Sequence, residues 1–222
     1  MKKGRYIIYF LVFIFSLLLC ISCSLGGDID TWHALVEKKP AGEEQTPSLA
    51  FTLSDYYGGY SVGRGTETAA NVIIPAEYNG LPVTEIAYTG FYNYAGLKSI
   101  TIPDSVMRIG DSAFVGCGGL TSIILPDNLA EIGYSAFASC SNLASILIPD
   151  SVMEIYQGAF YNCGDLANVF YGGADISAWN NIGIDSANDP LTSSTIYCYS
   201  ATQPVTAGNY WRWVGGVPAV WN

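Results

Sequence analysis

From Leu97 onward, apolar and polar positions follow a pattern that returns every 23 residues: "LKSITIPDSVMRIGDSAFVGCGG", "LTSIILPDNLAEIGYSAFASCSN", "LASILIPDSVMEIYQGAFYNCGD". At the head of each unit the period is two, the mark of a strand with one face buried. In "LTSIILP", Leu120, Ile123 and Leu125 are therefore expected to point inward and Ser122 and Ile124 outward. Pro126 ends the strand, because proline cannot donate to a ladder. Ile132 and Phe137 return inward from the far wall, and Cys140 closes the turn beneath the next leucine. No single unit can bury its own apolar edge, so a fixed period in this range predicts a solenoid whose coils stack at the strand spacing of about 4.8 Å.

The pattern fades at both ends. "ANVIIP" matches "KSITIP" and "GFYNY" matches "AFVGC", with Tyr94 in the cysteine slot, so a degenerate coil precedes the three clear ones; "LANVFYGG" begins a partial coil after them. About five coils result, the outer two acting as caps for the stack. Ahead of the array, "FTLSDYYGGYSVGRG" alternates strand-like runs with glycine turns, as a hairpin does. The expected divisions are a leader at 1–22, a tether at 23–48, a hairpin cap with the degenerate repeat at 49–96, the repeats at 97–170 and an aromatic cap at 171–222.

These units, written L-x-S-I-x-I-P-x-S-V-x-x-I-x-x-x-A-F-x-x-C, resemble the leucine-rich repeats of the BspA-like type found in bacterial surface proteins, over residues 70–170. The resemblance implies a leucine-rich-repeat solenoid (α/β-type superhelix, mostly β), with a parallel β-sheet on the concave face and short helical or irregular segments on the convex face. It also implies a cell-surface binding protein, of a family in which some members attach to host proteins or other bacteria.

The N-terminus agrees with an extracytoplasmic setting. "MKKGR" followed by "YIIYFLVFIFSLLLCI" has the basic and apolar regions of a secretory signal, and the run of about 17 apolar residues is short for a membrane span. Ser22 before Cys23 resembles a bacterial lipoprotein cleavage site, which would make Cys23 the lipidated residue and tie the chain to a membrane by its lipid. An uncleaved anchor and plain secretion are the alternatives. The formal charge of −10 becomes three units more negative once Lys2, Lys3 and Arg5 leave with the leader, a balance that repels nucleic acid and excludes it as a partner.

Three evenly spaced cysteines invite a chemical reading. Cys117, Cys140 and Cys163 hold one position in successive coils, so they form a column of parallel side chains, whereas a zinc site needs four ligands converging on a point. Packing as small hydrophobes is expected instead, and Tyr94 in the same slot supports it. Parallel Cβ vectors also disfavour disulfides along the column, although Cys198 could reach Cys163 if the cap folds back. His33, the chain's single histidine, lies in the tether, where no catalytic base could be held in place. Asp111 beside Ser112 does not recur in the next coil, and Asp104, Asp127 and Asp150 follow prolines in turns, which explains them without calcium. No enzyme, cofactor or metal is therefore expected.

What remains is a surface. The outward position between the core residues of each strand reads Ile73, Thr101, Ile124, Leu147 and Phe170, beside a polar row of Asn71, Ser99, Ser122, Ser145 and Asn168. An exposed apolar ridge on the concave face would suit extracellular or surface protein partners, from host matrix or other bacteria. Trp211, Trp213 and Trp221 could add a sugar-stacking surface. The competing readings are a structural scaffold or spacer and, more remotely, a carbohydrate-active protein.

Overall fold

The computed structural model describes residues 48–205 and 207–221. The leader, Cys23, His33 and most of the tether lie outside them. Sixteen strands and two short helices follow one another along this part of the chain.

The coils stack as the repeat predicts. One wall is built from β3 (Asn71–Ile73), β6 (Ser99–Thr101), β8 (Ser122–Ile124), β10 (Ser145–Ile148), β12 (Asn168–Tyr171) and β14 (Thr195–Tyr199). β3 pairs with β6 in parallel, and β8-β10-β12-β14 form a continuous parallel ladder with β6 lying beside β8. The register is one residue per repeat position, Ser122 opposite Ser145 opposite Asn168. Like residues thus form columns.

The opposite wall differs from the expected helical or irregular segments. It is a second parallel sheet, β5 (Leu81–Ile86), β7 (Arg108–Ile109), β9 (Glu131–Ile132), β11 (Glu154–Ile155) and β13 (Gly183–Ile184), with Ile86, Ile109, Ile132 and Ile155 fully buried. The reason is spacing. An α-helix is about 10 Å across, so helices on one wall would splay coils held about 4.8 Å apart on the other. Extended residues let each backbone group bond to the neighbouring coil instead.

The third side is a ladder of turns. Thr89, Ser112, Ser135 and Gly158 share one slot and all have left-handed backbone, with φ of 51°, 56°, 53° and 65°. Glycine replaces serine at 158 in the one slot type where it carries no steric penalty. Inside this ladder Phe91, Phe114, Phe137 and Phe160 stack with centroids 5.1–5.3 Å apart and nearly parallel planes, every ring fully buried.

At the N-terminus, β1 (Ala50–Leu53) and β2 (Tyr60–Gly63) form the expected antiparallel hairpin, and β2 joins the second sheet through β5; β4 (Glu77–Tyr78) also pairs with β5. At the other end the coil geometry continues beyond residue 170, where the sequence suggested a cap. β13 pairs with β11 and β14 with β12, and the intervening chain holds α1 (Ile176–Trp179) and α2 (Asp189–Thr192). Trp179, Ile182 and Leu191 fill the core there in place of the repeat residues, which is why the periodicity is lost while the stack persists. The hairpin of β15 (Tyr210–Val214) and β16 (Val217–Val220) then closes the first sheet. Pro218 lies in the edge strand β16, and an edge proline hinders further strand pairing.

Candidate functional site

The strand wall carries the candidate surface. In each of these strands the second residue is buried (Val72, Ile100, Ile123, Ile146, Val169), so the residues on either side of it take the outward positions. The two outward rows form as expected: Ile73 opposite Thr101, then Ile124, Leu147 and Phe170 in successive register, beside Asn71, Ser99, Ser122, Ser145 and Asn168. Ser99 Oγ donates to Asn71 Oδ1 at 2.8 Å, a cross-strand bond within the polar row.

The apolar ridge itself is shorter than the sequence suggested. Ile124 is 43% exposed, but Leu147, flanked in register by Ile124 and Phe170, is only 4% exposed. Phe170 is half-buried because the C-terminal aromatic residues cover it: Tyr197 stacks on it at 5.7 Å and Trp211 meets it edge-on at 5.8 Å. Trp211 is fully buried, packed edge-on against Tyr199 and Trp213, and its indole N–H donates to the Tyr171 carbonyl at 2.7 Å. The open part of the wall is therefore its N-terminal half, where Asn71, Ser99, Thr101, Ser122 and Ile124 are all exposed.

The same contacts remove Trp211 from the expected sugar-stacking surface. Trp211 has no free face, Trp213 is half-buried, and the Arg212 guanidinium sits 3.9 Å from the Trp221 ring centroid while the Trp221 indole N–H donates to the Ser200 carbonyl.

The cysteine column is a hydrogen-bonded structural element. Each thiol donates to the carbonyl of a phenylalanine one coil earlier: Cys117 to Phe91 at 3.2 Å, Cys140 to Phe114 at 3.1 Å and Cys163 to Phe137 at 3.1 Å. Tyr94, in the same slot, reaches one coil back in the same way, its hydroxyl donating to the Ala69 carbonyl at 2.6 Å. All four described cysteines are free and buried, so Cys163 and Cys198 are not bridged. Cys198 sits opposite Tyr171 on the strand wall, whereas Cys163 belongs to the turn column.

Burial pushes the Cys117 and Cys163 thiols up to about 11, and Cys140, between the other two, is raised as well. The thiolate is the nucleophile, so the folded chain should resist iodoacetamide at these three positions at pH 8 and take the label there only in denaturant. Modification of the native protein would contradict the assignment. In the unfolded chain thiols deprotonate near 9.0, whereas the folded chain keeps these protons until about 11. Between those values the folded state binds more protons, so stability should fall as pH rises through that window.

Other sequence candidates have structural partners. Asp111 accepts from Arg108 at 2.8 Å and from the Tyr134 backbone N–H at 3.2 Å, and Ser112 occupies a left-handed turn slot. Asp104 accepts the Asp127 backbone N–H at 3.3 Å, as turn carboxylates do. Among the described residues no three His, Cys, Asp or Glu side chains gather as a metal site.

One buried polar residue escaped the sequence reading. Asn188, only 2% exposed, accepts the Phe160 backbone N–H at 3.0 Å and donates to the carbonyls of Tyr156 and Asp185. In the preceding coil the Phe137 N–H bonds to the Ala159 carbonyl, so the Asn188 side chain supplies an acceptor where the repeat backbone ends. Its place before Asp189-Pro190 reads as an ordinary helix N-cap, yet its side chain makes no cap hydrogen bond.

Comparison with known proteins agrees with the architecture. The BspA type leucine rich repeat region matches residues 71–188 in six copies, one more than the repeat reading suggested. A leucine-rich repeat protein from Bacteroides capillosus superposes with a TM-score of 0.52 at 33% identity, covering 59% of this chain and 98% of its own. A leucine rich cell surface protein from Faecalibacterium prausnitzii gives 0.51 at 28% identity, covering 62% of this chain and 41% of its own. No curated protein matches the chain. With more than half of its length in six coils of this kind, the chain belongs to the BspA-type leucine-rich repeat family.

Proposed function

We propose that this protein is a non-enzymatic, adhesin-like binding module that presents the N-terminal half of its strand wall to protein partners outside the cell. The observation that carries the reading is the contrast along that wall: in its C-terminal half Leu147 is buried and Phe170 is partly covered by aromatic residues, while Asn71, Ser99, Thr101, Ser122 and Ile124 stay exposed. Small polar groups leave few side-chain barriers to an approaching surface, and Ile124 offers an apolar contact at its edge. The chemistry-bearing side chains support the same reading. The Cys117, Cys140 and Cys163 thiols are hydrogen-bonded in the core, and Glu85, Asp111 and Glu131 are paired with Arg108.

The setting belongs to the proposal. Its support is the secretory-type leader, the Ser22-Cys23 junction and the similarity to the leucine rich cell surface protein of Faecalibacterium prausnitzii. Lipid-anchored display on the bacterial surface fits all three. The test is binding of the purified chain to a panel of extracellular-matrix and bacterial-surface proteins, with protease accessibility measured on intact cells. Display accessible to protease and binding that Ile124→Ser weakens by about tenfold are expected. A chain that is shielded from protease and binds nothing would instead favour a periplasmic spacer.

A further inference from the structure

The second wall carries a surface of different chemistry. Its outward positions, next to the buried isoleucines, run Glu85, Arg108, Glu131 and Glu154 in register. Arg108 pairs with Glu85 at 2.6 Å, Asp111 at 2.8 Å and Glu131 at 3.4 Å. The turn of the N-terminal hairpin folds over this row and touches one coil after another. Ser54 Oγ donates to Glu85 at 3.0 Å, the Tyr56 ring lies 5.3 Å from the Arg108 guanidinium, and the Tyr57 hydroxyl donates to Glu131 at 3.4 Å.

Two tyrosines lie beyond the turn. Tyr134 and Tyr156 stack at 5.0 Å, and the Tyr134 backbone N–H donates to Asp111. Tyr156 follows Glu154 by two residues along the same extended stretch, and its backbone N–H donates at 2.9 Å to the carbonyl of Ile132, the residue after Glu131 in the preceding coil. Tyr56 is 72% exposed and Tyr134 49%, and Glu154 is exposed as well. Four tyrosines therefore accompany Asp111, Glu131 and Glu154, while Glu85 is buried beneath the turn and paired with Arg108, whose single guanidinium offsets only part of the negative charge.

We infer that this wall docks a basic segment of a protein partner, with a Lys or Arg head at Glu154 and its aliphatic stem along Tyr134 and Tyr156. The argument is charge complementarity joined to ring chemistry. A carboxylate and an aromatic face both favour a cation, and tyrosine gives a rigid amphipathic contact at small entropic cost. The site is separate from the strand wall, so it stands or falls independently of the proposed function.

The test is fluorescence anisotropy of the full chain with a labelled Gly–Lys alternating peptide and its Gly–Glu counterpart, at about 0.15 M ionic strength, where charges more than about 8 Å apart are screened. The variants are Tyr134→Ser with Tyr156→Ser, Glu154→Gln, Asp165→Asn on an exposed turn, and Ile124→Ser, each checked by circular dichroism. The Lys peptide should bind and the Glu peptide should not. The double tyrosine variant and Glu154→Gln should each weaken binding about tenfold or more, while Asp165→Asn and Ile124→Ser leave it within about twofold. The inference is overturned if the Lys peptide does not bind, if Asp165→Asn costs as much as Glu154→Gln, if the tyrosine variant keeps full affinity, or if Ile124→Ser alone abolishes binding. Glu154→Gln keeps the question answerable should the double variant misfold.

Discussion

Phe137→Ala is expected to lower the unfolding free energy by about 3–5 kcal/mol, the usual cost of truncating a fully buried phenylalanine. The ring lies between Phe114 at 5.1 Å and Phe160 at 5.3 Å, so its loss opens a void shared by two coil interfaces. Stability in a repeat array is close to a sum of coil and neighbour terms. Phe91, with a single recorded ring contact in the column, to Phe114, should therefore cost less when truncated in the same way. Urea unfolding followed by circular dichroism would measure both variants. A loss below about 1 kcal/mol for Phe137→Ala would mean that the column does not hold the coils together.

Trp211→Ala should be comparably costly, again about 3–5 kcal/mol, and it should have a second effect. The indole is fully buried against Phe170, Tyr199 and Trp213, and its N–H satisfies the Tyr171 carbonyl. Removing it deletes a large apolar body and a buried hydrogen bond together. It also uncovers Phe170 and with it the C-terminal half of the strand wall. A folded Trp211→Ala variant should therefore bind a hydrophobic dye such as ANS more strongly than the parent. Unchanged stability and unchanged dye binding would show that the aromatic hairpin is not what seals that half.

The repeat made the interior of the fold readable from sequence. A residue such as Phe137 or Cys140 recurs at a fixed spacing, stacking turns that spacing into a column, and each column has one environment along its length. Features set by contacts between non-repeating segments were not readable in this way. Leu147 occupies the same outward slot as Ile124, yet one is buried and the other exposed, and Phe170 in the next coil is half-buried under Tyr197 and Trp211, residues that lie outside the repeats. The β nature of the second wall was hidden for another reason. Within the repeats its strands β7, β9 and β11 are two residues long, too short to show a period in the sequence. Asn188 and the turn at Ser54–Tyr57 likewise act across coils, through single side chains whose local sequence reads as a helix cap and a hairpin loop. Cys23 and the leader lie outside the described residues, and the proposed lipid anchor is read from their sequence.

The proposed binding surface is most directly tested by placing the same obstruction on two sides of the coil. Ser122 is exposed in the middle of the open half of the strand wall, and Ser141 is exposed on the turn that follows Cys140. Ser122→Arg and Ser141→Arg should both fold, since each side chain extends into solvent. Affinity for any partner captured from the surface-protein panel should fall by about tenfold or more in Ser122→Arg and remain at the parent level in Ser141→Arg. Equal affinity in the two variants, or loss in Ser141→Arg alone, would contradict a binding surface on the N-terminal half of the strand wall.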